Sequence, residues 1–505
     1  MVLNAGPGHL LMSTSTAVTK YIDLALKSSL FLLALSAPVS IAATQIAWSL
    51  ALLIWLIRAF FVRPTFRKDG IAIATMAFVG LTLVSAIFSY EPQVSLRKMV
   101  GVALVTIVYL VSDAISDAKW TKRLVVIMLA SATVAAAYSV AQTAIGKNLK
   151  VVHLAQNSPL LAAGVLENDT IQTVNGKSVN SPDELAASIA NTPENGAAKI
   201  HVYRYELFFD YEMPVSAVLP ASNAAGRLGI TEWSRGRDVR AEGFYGHYTT
   251  YSEATQLIAS LTLGLLILVP GGFFARNRVV LALILAAFCV GLFLTITRAS
   301  WAGFAVSTAV MVLVGTSRKT ILICILCAIP LAAGGLYYLQ QKRNVGFVDT
   351  GDGSTTWRMM VWREGFGVLV SNPRHLAVGI GMDSLKTHWQ DWKMFDNGWQ
   401  PMGHMHSDYL EFAFERGVPA LIAWIIWMFF YLRMLWRGFR RKDLDWFERG
   451  ILLGSLGGSI GFLSSGIVHY NWGDSEVVMI FYLLMGLSLA VLGRKPGTDA
   501  EAYPG

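Results

Sequence analysis

The sequence predicts a mainly α-helical, polytopic membrane protein with about twelve spans and a small α/β insert. Composition is the first reason. Of 505 residues, 54% are hydrophobic and 15% are charged, whereas soluble domains carry roughly a quarter charged residues. Most of this chain must therefore be solvated by lipid. The second reason is that apolar runs of spanning length recur throughout and are separated by short basic loops. The formal charge of +8 collects in those loops, which signals topology and not a nucleic-acid surface. The third is that two long, polar connections interrupt the apolar pattern.

Taken in order, the apolar runs fall near 28–44, 46–62, 71–89, 99–115, 124–145, 251–271, 279–297, 300–317, 320–339, 413–434, 450–468 and 474–493. The segment before the first is polar and mixed and lacks the pattern of a cleaved signal peptide, so the first span is expected to be the uncleaved insertion signal. Cys289, Cys324 and Cys327 all lie inside apolar runs and suggest neither a disulfide framework nor a zinc site. The clusters Arg63/Arg67/Lys68, Lys119/Lys122/Arg123, Arg276/Arg278, Arg318/Lys319, Arg437/Arg440/Arg441/Lys442 and Arg494/Lys495 fall on alternate loops. Short cytoplasmic loops are enriched in Lys and Arg, so both termini are expected in the cytoplasm of a bacterial inner-membrane protein, with the two long connections on the periplasmic side.

The expected organisation is spans over 1–145, a periplasmic domain over 146–215, a linker over 216–250, spans over 251–339, a large periplasmic loop over 340–412, and spans with a tail over 413–505. Within the insert, Lys150–Leu154 and Ile171–Val174 read as strands, Asn175-Gly176 as a turn and Asp183–Ile189 as a helix. Lys199–Arg204 with Phe208–Pro214 reads as a closing hairpin. The stretch NSPLLAAGVLENDTIQTVNGKSV resembles a PDZ domain of the bacterial kind through Ser158-Pro159, Ala163-Gly164, Asn168-Asp169 and Val174-Asn175-Gly176. Such domains bind peptides as an added edge strand. Here Gly146 to Lys150 lacks the glycine-and-apolar carboxylate loop, which leaves a peptide or protein partner and a rigid spacer both open. Residues after Val215 read as a linker with at most short helices.

Three places carry the chemistry. Arg240 lies in RAEGFYGHYTTYSEATQ before the sixth span, Arg298 in the turn TITRASWAG, and His404, His406, Asp408, Glu411 and Glu415 in GHMHSDYLEFAFERG. An arginine at a span end can simply snorkel to the headgroups. It can also hold a phosphate, because its planar fork pairs with two oxygens and keeps its charge. His406 is either an incidental loop histidine or a general base, since imidazole exchanges protons near neutrality. His404-x-His406 offers two metal ligands without a compelling third, so no metal is expected.

Taken together, these pieces resemble the O-antigen ligase and polymerase superfamily. Arg240, Gly243 and Phe244 match its Arg-x-x-Gly-Phe stretch. Thr295, Thr297, Arg298 and Ala299 match its Thr-x-[Ser/Thr]-Arg turn. Trp357 and Arg358 in WRMMVWREG, with Pro373 and Gly379/Gly381, match its large loop, and His406, Ser407, Leu410, Glu415 and Gly417 match its His-[Asn/Ser] motif. The match covers about 235–470. It departs at Ser407, where Asn is commoner, and in carrying the insert.

The resemblance implies an inverting glycosyltransferase that moves a glycan from undecaprenyl diphosphate to an acceptor hydroxyl without metal or cofactor. His406 would act as base and Arg240 and Arg298 would hold the diphosphate, with His404, Asp408, Glu415, Trp357 and Arg358 as supporting residues. The acceptor would be lipid A-core for a ligase, a growing polysaccharide for a polymerase, or a protein. A transporter or flippase would need ionisable groups at mid-span and broken spans in matching halves, and neither is seen. A PDZ-bearing scaffold would not need the histidine-containing loop.

Overall fold

The computed structural model describes residues 7–494 apart from 64–67, 194–195, 205–206, 238–239, most of 323–352 and 399–402. The chain folds as two compact units: Met1–Ala137 with Glu242–Gly505, and Tyr138–Ala241.

The first unit is helical. Among the described residues nine helices are long and apolar enough to cross a membrane: Ile41–Phe61, Gly70–Ile87, Pro92–Ala114, Ala118–Ile145, Tyr248–Leu268, Arg276–Leu294, Arg298–Gly315, Val418–Phe439 and Ser475–Gly493. The expected count of about twelve is therefore not reached among these residues. Two of the remaining runs are helices of another character, and the run at 320–339 lies largely outside the described residues. The first, expected over 28–44, belongs to a helix Pro7–Ser36 that stops before Pro38. Ser40 then caps Ile41–Phe61 by accepting a hydrogen bond from Ala43 N at 3.3 Å, so the break precedes the apolar boundary read from sequence.

The run at 450–468 is the helix Trp446–Ser465, opened by a capping box between Asp445 and Glu448. Its glycines and serines dilute its hydropathy because they form a packing face. Gly264 on Tyr248–Leu268 meets Gly450 and Gly454 so closely that an added Cβ would lie 2.4 Å from Gly454 N. Backbone-to-backbone approach of this kind is how membrane helices gain dispersion contacts when lipid is as apolar as the side chains. Large apolar side chains such as Phe60, Met76, Phe273 and Leu283 are left uncovered, as expected of faces solvated by lipid.

The run expected over 413–434 is divided. Asp408–Arg416 forms a nine-residue helix of its own, Gly417 turns the chain at φ 84°, and Val418–Phe439 follows with Pro419 in its first turn. The expected domain boundary at 412/413 thus falls inside a helix. The glycine permits the left-handed turn and the proline opens the next helix.

The second unit is a six-stranded antiparallel sheet of order β5-β4-β2-β1-β6, with β3 paired to β2. The strands are β1 Leu149–Leu154, β2 Thr170–Val174, β3 Lys177–Ser178, β4 Ala197–Arg204, β5 Leu207–Pro214 and β6 Ile230–Arg235. Three short helices, Pro159–Ala163, Pro182–Ala190 and Ala224–Arg227, complete it. Leu149, Val151, Ile171, Val174, Ile200, Val202, Leu185 and Ile189 form its core. The stretch after Val215 is not only a linker, since β6 pairs along β1. Only Ile230 of β6 is buried, so the alternation that betrays a strand is missing from its sequence.

Candidate active site

The helix Asp408–Arg416 places Asp408, Glu411 and Glu415 at spacings of three and four, on one face, and that face is buried: the three carboxylates are 0%, 0% and 4% exposed. The backbone N–H of Asp408 donates to the carbonyls of Gly466 at 2.8 Å and His469 at 3.1 Å. Its Oδ1 accepts from Trp472 N at 3.0 Å. Glu411 accepts from Met405 N. Glu415 accepts from Asp383 N at 2.8 Å, while the loop through Gly379 and Gly381 lies along it, with Ile380 N on Phe414 O at 2.9 Å and Gly381 N on Glu415 O at 2.8 Å. Burial raises all three carboxyls above the ordinary range, and the neighbouring Glu415 raises Glu411 further. Asp408 and Glu415 thus act as an anchored floor beneath the histidine loop.

That loop is held from the other side by Gly353–Ser371. The indole N–H of Trp362 donates to Met405 O at 2.7 Å, and Gly365 leaves room for the Met405 side chain. Trp357 stands edge-on to the His406 ring with centroids 5.0 Å apart, which accounts for the WRMMVWREG pattern. His406 adopts φ 50°, its N–H donates to His404 Nδ1 at 3.3 Å, and the two rings are 4.1 Å apart. Burial, helped by His404 and the Arg358 guanidinium, presses His406 down to about 2, and burial with Lys386 presses His404 down to about 4. Both imidazoles are therefore neutral near pH 7.

Arg298 opens the helix Arg298–Gly315 directly after the three-residue turn 295–297, as expected of a tight turn. Ile296 in that turn has φ 52°, and the Trp301 indole closes it on Leu292 O at 2.8 Å. The Ser300 and Ser252 hydroxyls, 2.7 Å apart, join this first turn to the first turns of Tyr248–Leu268. There Thr250 donates to Asp474 Oδ2 at 2.7 Å, and Glu253 Oε1 meets His469 Nδ1 at 2.7 Å. The starts of these spanning helices and the turn 466–474 thus share one end of the unit with the histidine loop. Arg240 is buried but belongs to the sheet-containing unit.

Sequence reading missed Glu253, His469 and Asp474. The carboxyl of Glu253 inside an apolar run was the available signal, because charge in a span is expensive.

Residues 281–425 match the family model described as O-antigen ligase. The matched segment carries Arg298, Trp357, Arg358, His404, His406, Asp408 and Glu415, and leaves out Arg240, Glu253 and His469. No curated protein matches the chain. Fold and match together define a polytopic helical membrane protein. Its matched segment supports a transferase of the ligase or polymerase type, acting on lipid-linked glycan and an acceptor.

Proposed function

We propose that the protein is an O-antigen ligase-like glycosyltransferase working at the periplasmic face of the inner membrane. It moves a glycan from undecaprenyl diphosphate to a hydroxyl of lipid A-core, with inversion at the anomeric carbon and without a metal. The observation that carries this reading is the half-buried, neutral His406, at φ 50° and against Trp357, within the segment matched by the ligase family. His406 takes the acceptor proton as the oxygen bonds to the anomeric carbon, and the bond to the diphosphate breaks with its electron pair leaving on the diphosphate. Arg240 and Arg298 hold that diphosphate, whose charge is present before transfer and grows during it. Polymerisation on a growing polysaccharide and transfer to protein use the same donor and remain outcomes of the acceptor assay. The sheet unit, read as PDZ-like, is proposed to serve acceptor or partner recruitment.

Transfer by the purified full-length protein is the test, measured with undecaprenyl diphosphate-linked glycan extracted from native membranes and the acceptor fractions supplied separately. Arg298→Lys keeps charge and loses the planar fork, so activity should fall at least about tenfold while a mere headgroup anchor would tolerate it. Native activity in that variant, or no transfer to any acceptor by the unaltered protein, would overturn the reading.

A further inference from the structure

Arg97 and Lys98 break the order of the basic loops. They lie between the runs 71–89 and 99–115, on a connection expected at the periplasmic side, where the topology rule predicts few basic residues. In the structure Lys98 Nζ lies 2.6 Å from Asp383 Oδ2, and Lys386 Nζ meets the other oxygen of that carboxyl at 3.1 Å. Burial pushes the Asp383 carboxyl up, but the two ammonium groups outweigh it and hold the carboxyl below its usual range. Two lysines against one carboxylate leave positive charge to spare. Each ammonium carries three donors, and both lysine side chains are half-exposed, so donors that Asp383 does not take are open to a second anion.

The frame beneath these three groups is close-packed. Ser89, Ser95 and Ser384 are buried. Ser89 Oγ lies 2.9 Å from Ser384 Oγ, while Ser95 Oγ lies 2.8 Å from Ser89 Oγ and 2.9 Å from Met382 O. An added Cβ at Gly381 would lie 1.8 Å from Ser89 Oγ, so only glycine allows this approach. The bonds fix the helix Pro92–Ala103, which carries Lys98, against the loop that carries Asp383 and Lys386. The stem of Lys386 then lies against the histidine loop: an added Cβ at Gly403, the residue before His404, would lie 2.3 Å from Lys386 Cε.

We propose that Lys98 and Lys386, held on Asp383, form a phosphate-binding site beside the histidine loop that takes a phosphoryl group of one of the two lipid substrates, an inference that rests on the function proposed above. Lysine suits a phosphoryl oxygen as a compact point charge. Asp383 keeps the two ammonium groups together while no substrate is bound, and it competes with the phosphoryl group for them.

Binding to the full-length protein in detergent tests this without requiring turnover. The probes are undecaprenyl diphosphate without glycan, and the acceptor fraction from native membranes before and after phosphatase treatment. Lys98→Gln and Lys386→Gln should each weaken binding of a phosphate-bearing probe at least about fivefold. Asp383→Asn removes the competing charge, and asparagine tolerates the φ of 60° at this position. It should tighten the same probe at least about threefold, an effect that a merely structural ion cluster would not give. Weakening of undecaprenyl diphosphate assigns the site to the donor. Weakening of the acceptor that disappears after phosphatase treatment assigns it to the acceptor. Native affinity for every probe in both lysine variants, an acceptor loss equal before and after phosphatase with the donor unaffected, or weaker binding in Asp383→Asn would each overturn the proposal. Lysine variants that bind as native beside an unaltered protein that transfers glycan refute this site alone. Lysine-dependent binding in a protein that transfers to no acceptor refutes the parent function and leaves the site standing.

Discussion

The two units bury charge in opposite ways. In the sheet unit Asp169 is fully buried and completely partnered: Arg204 Nε and Nη2 each donate to it at 2.6 Å, and Leu166 N adds a third bond at 2.7 Å. The same guanidinium donates to Gly164 O at 2.9 Å and lies over the Phe209 ring at 5.0 Å. In the helical unit, Glu253 and Asp408 each keep a buried carboxylate oxygen without a partner among the described residues. A complete ion pair is a structural device, whose removal leaves the other charge stranded. Incompletely matched acids and neutralised imidazoles beside one another are the pattern of groups kept poised for proton transfer. The contrast fits a structural role for the first cluster and is what the proposed transfer chemistry would require of the second.

If that contrast holds, the largest effect should come from the chemical side. His406→Ala should cut transfer about 10²–10⁴-fold with donor binding retained, because a base contributes mainly in the transition state. His404→Ala, its neighbour outside the matched motif, should lose less than about tenfold under the same assay. Reversal of that order would break the site assignment.

On the structural side, Asp169→Asn should destabilise the sheet unit by about 3–5 kcal/mol, since Arg204 is left without its counter-charge. Hydrogen exchange across 149–235 would report it, and native protection there would show the pair to be dispensable. The smallest expected effect is a gain. Burial raises Asp474 to about 6, so between the unfolded value near 4 and that value the native state binds more protons, and stability falls as pH rises. Asp474→Asn preserves an acceptor for Thr250 and should raise the melting temperature at pH 7.5, by the equivalent of at most about 3 kcal/mol. The gain should vanish below about pH 4. A variant that melts below the native protein at pH 7.5 would make Asp474 a structural ion of the Asp169 type.

Much of this was legible in the sequence, and the gaps have physical causes. β1, β2 and β4 were readable because Val151, Ile171, Ile200 and Val202 alternate with polar residues, whereas β6 offers one buried residue. The spans were readable where packing is lipid-like. They were obscure where glycine and serine replace apolar bulk, as in Trp446–Ser465, and where one apolar run hides a turn, as at Gly417. His406, Trp357 and Arg358 came from motif spacing and His404 from its place two residues before His406, and in the structure the two imidazoles and the Trp357 ring adjoin. Sequence spacing could not disclose that Trp357 touches the His406 ring, or that Glu253 meets His469. Such pairings exist only once distant helices pack.

The sheet unit begins and ends at one point: Lys147 N donates to Gly236 O at 2.8 Å, and Leu149 pairs with Arg235. To the chain that hosts it, so long an excursion is equivalent to a short tether whose closure is already secured by hydrogen bonds. Everything between those two residues can lengthen, shorten or be exchanged without changing the distance the flanking segments must bridge. Such a cassette gives an engineer a defined socket, from Lys147 to Gly236, for fitting a different module.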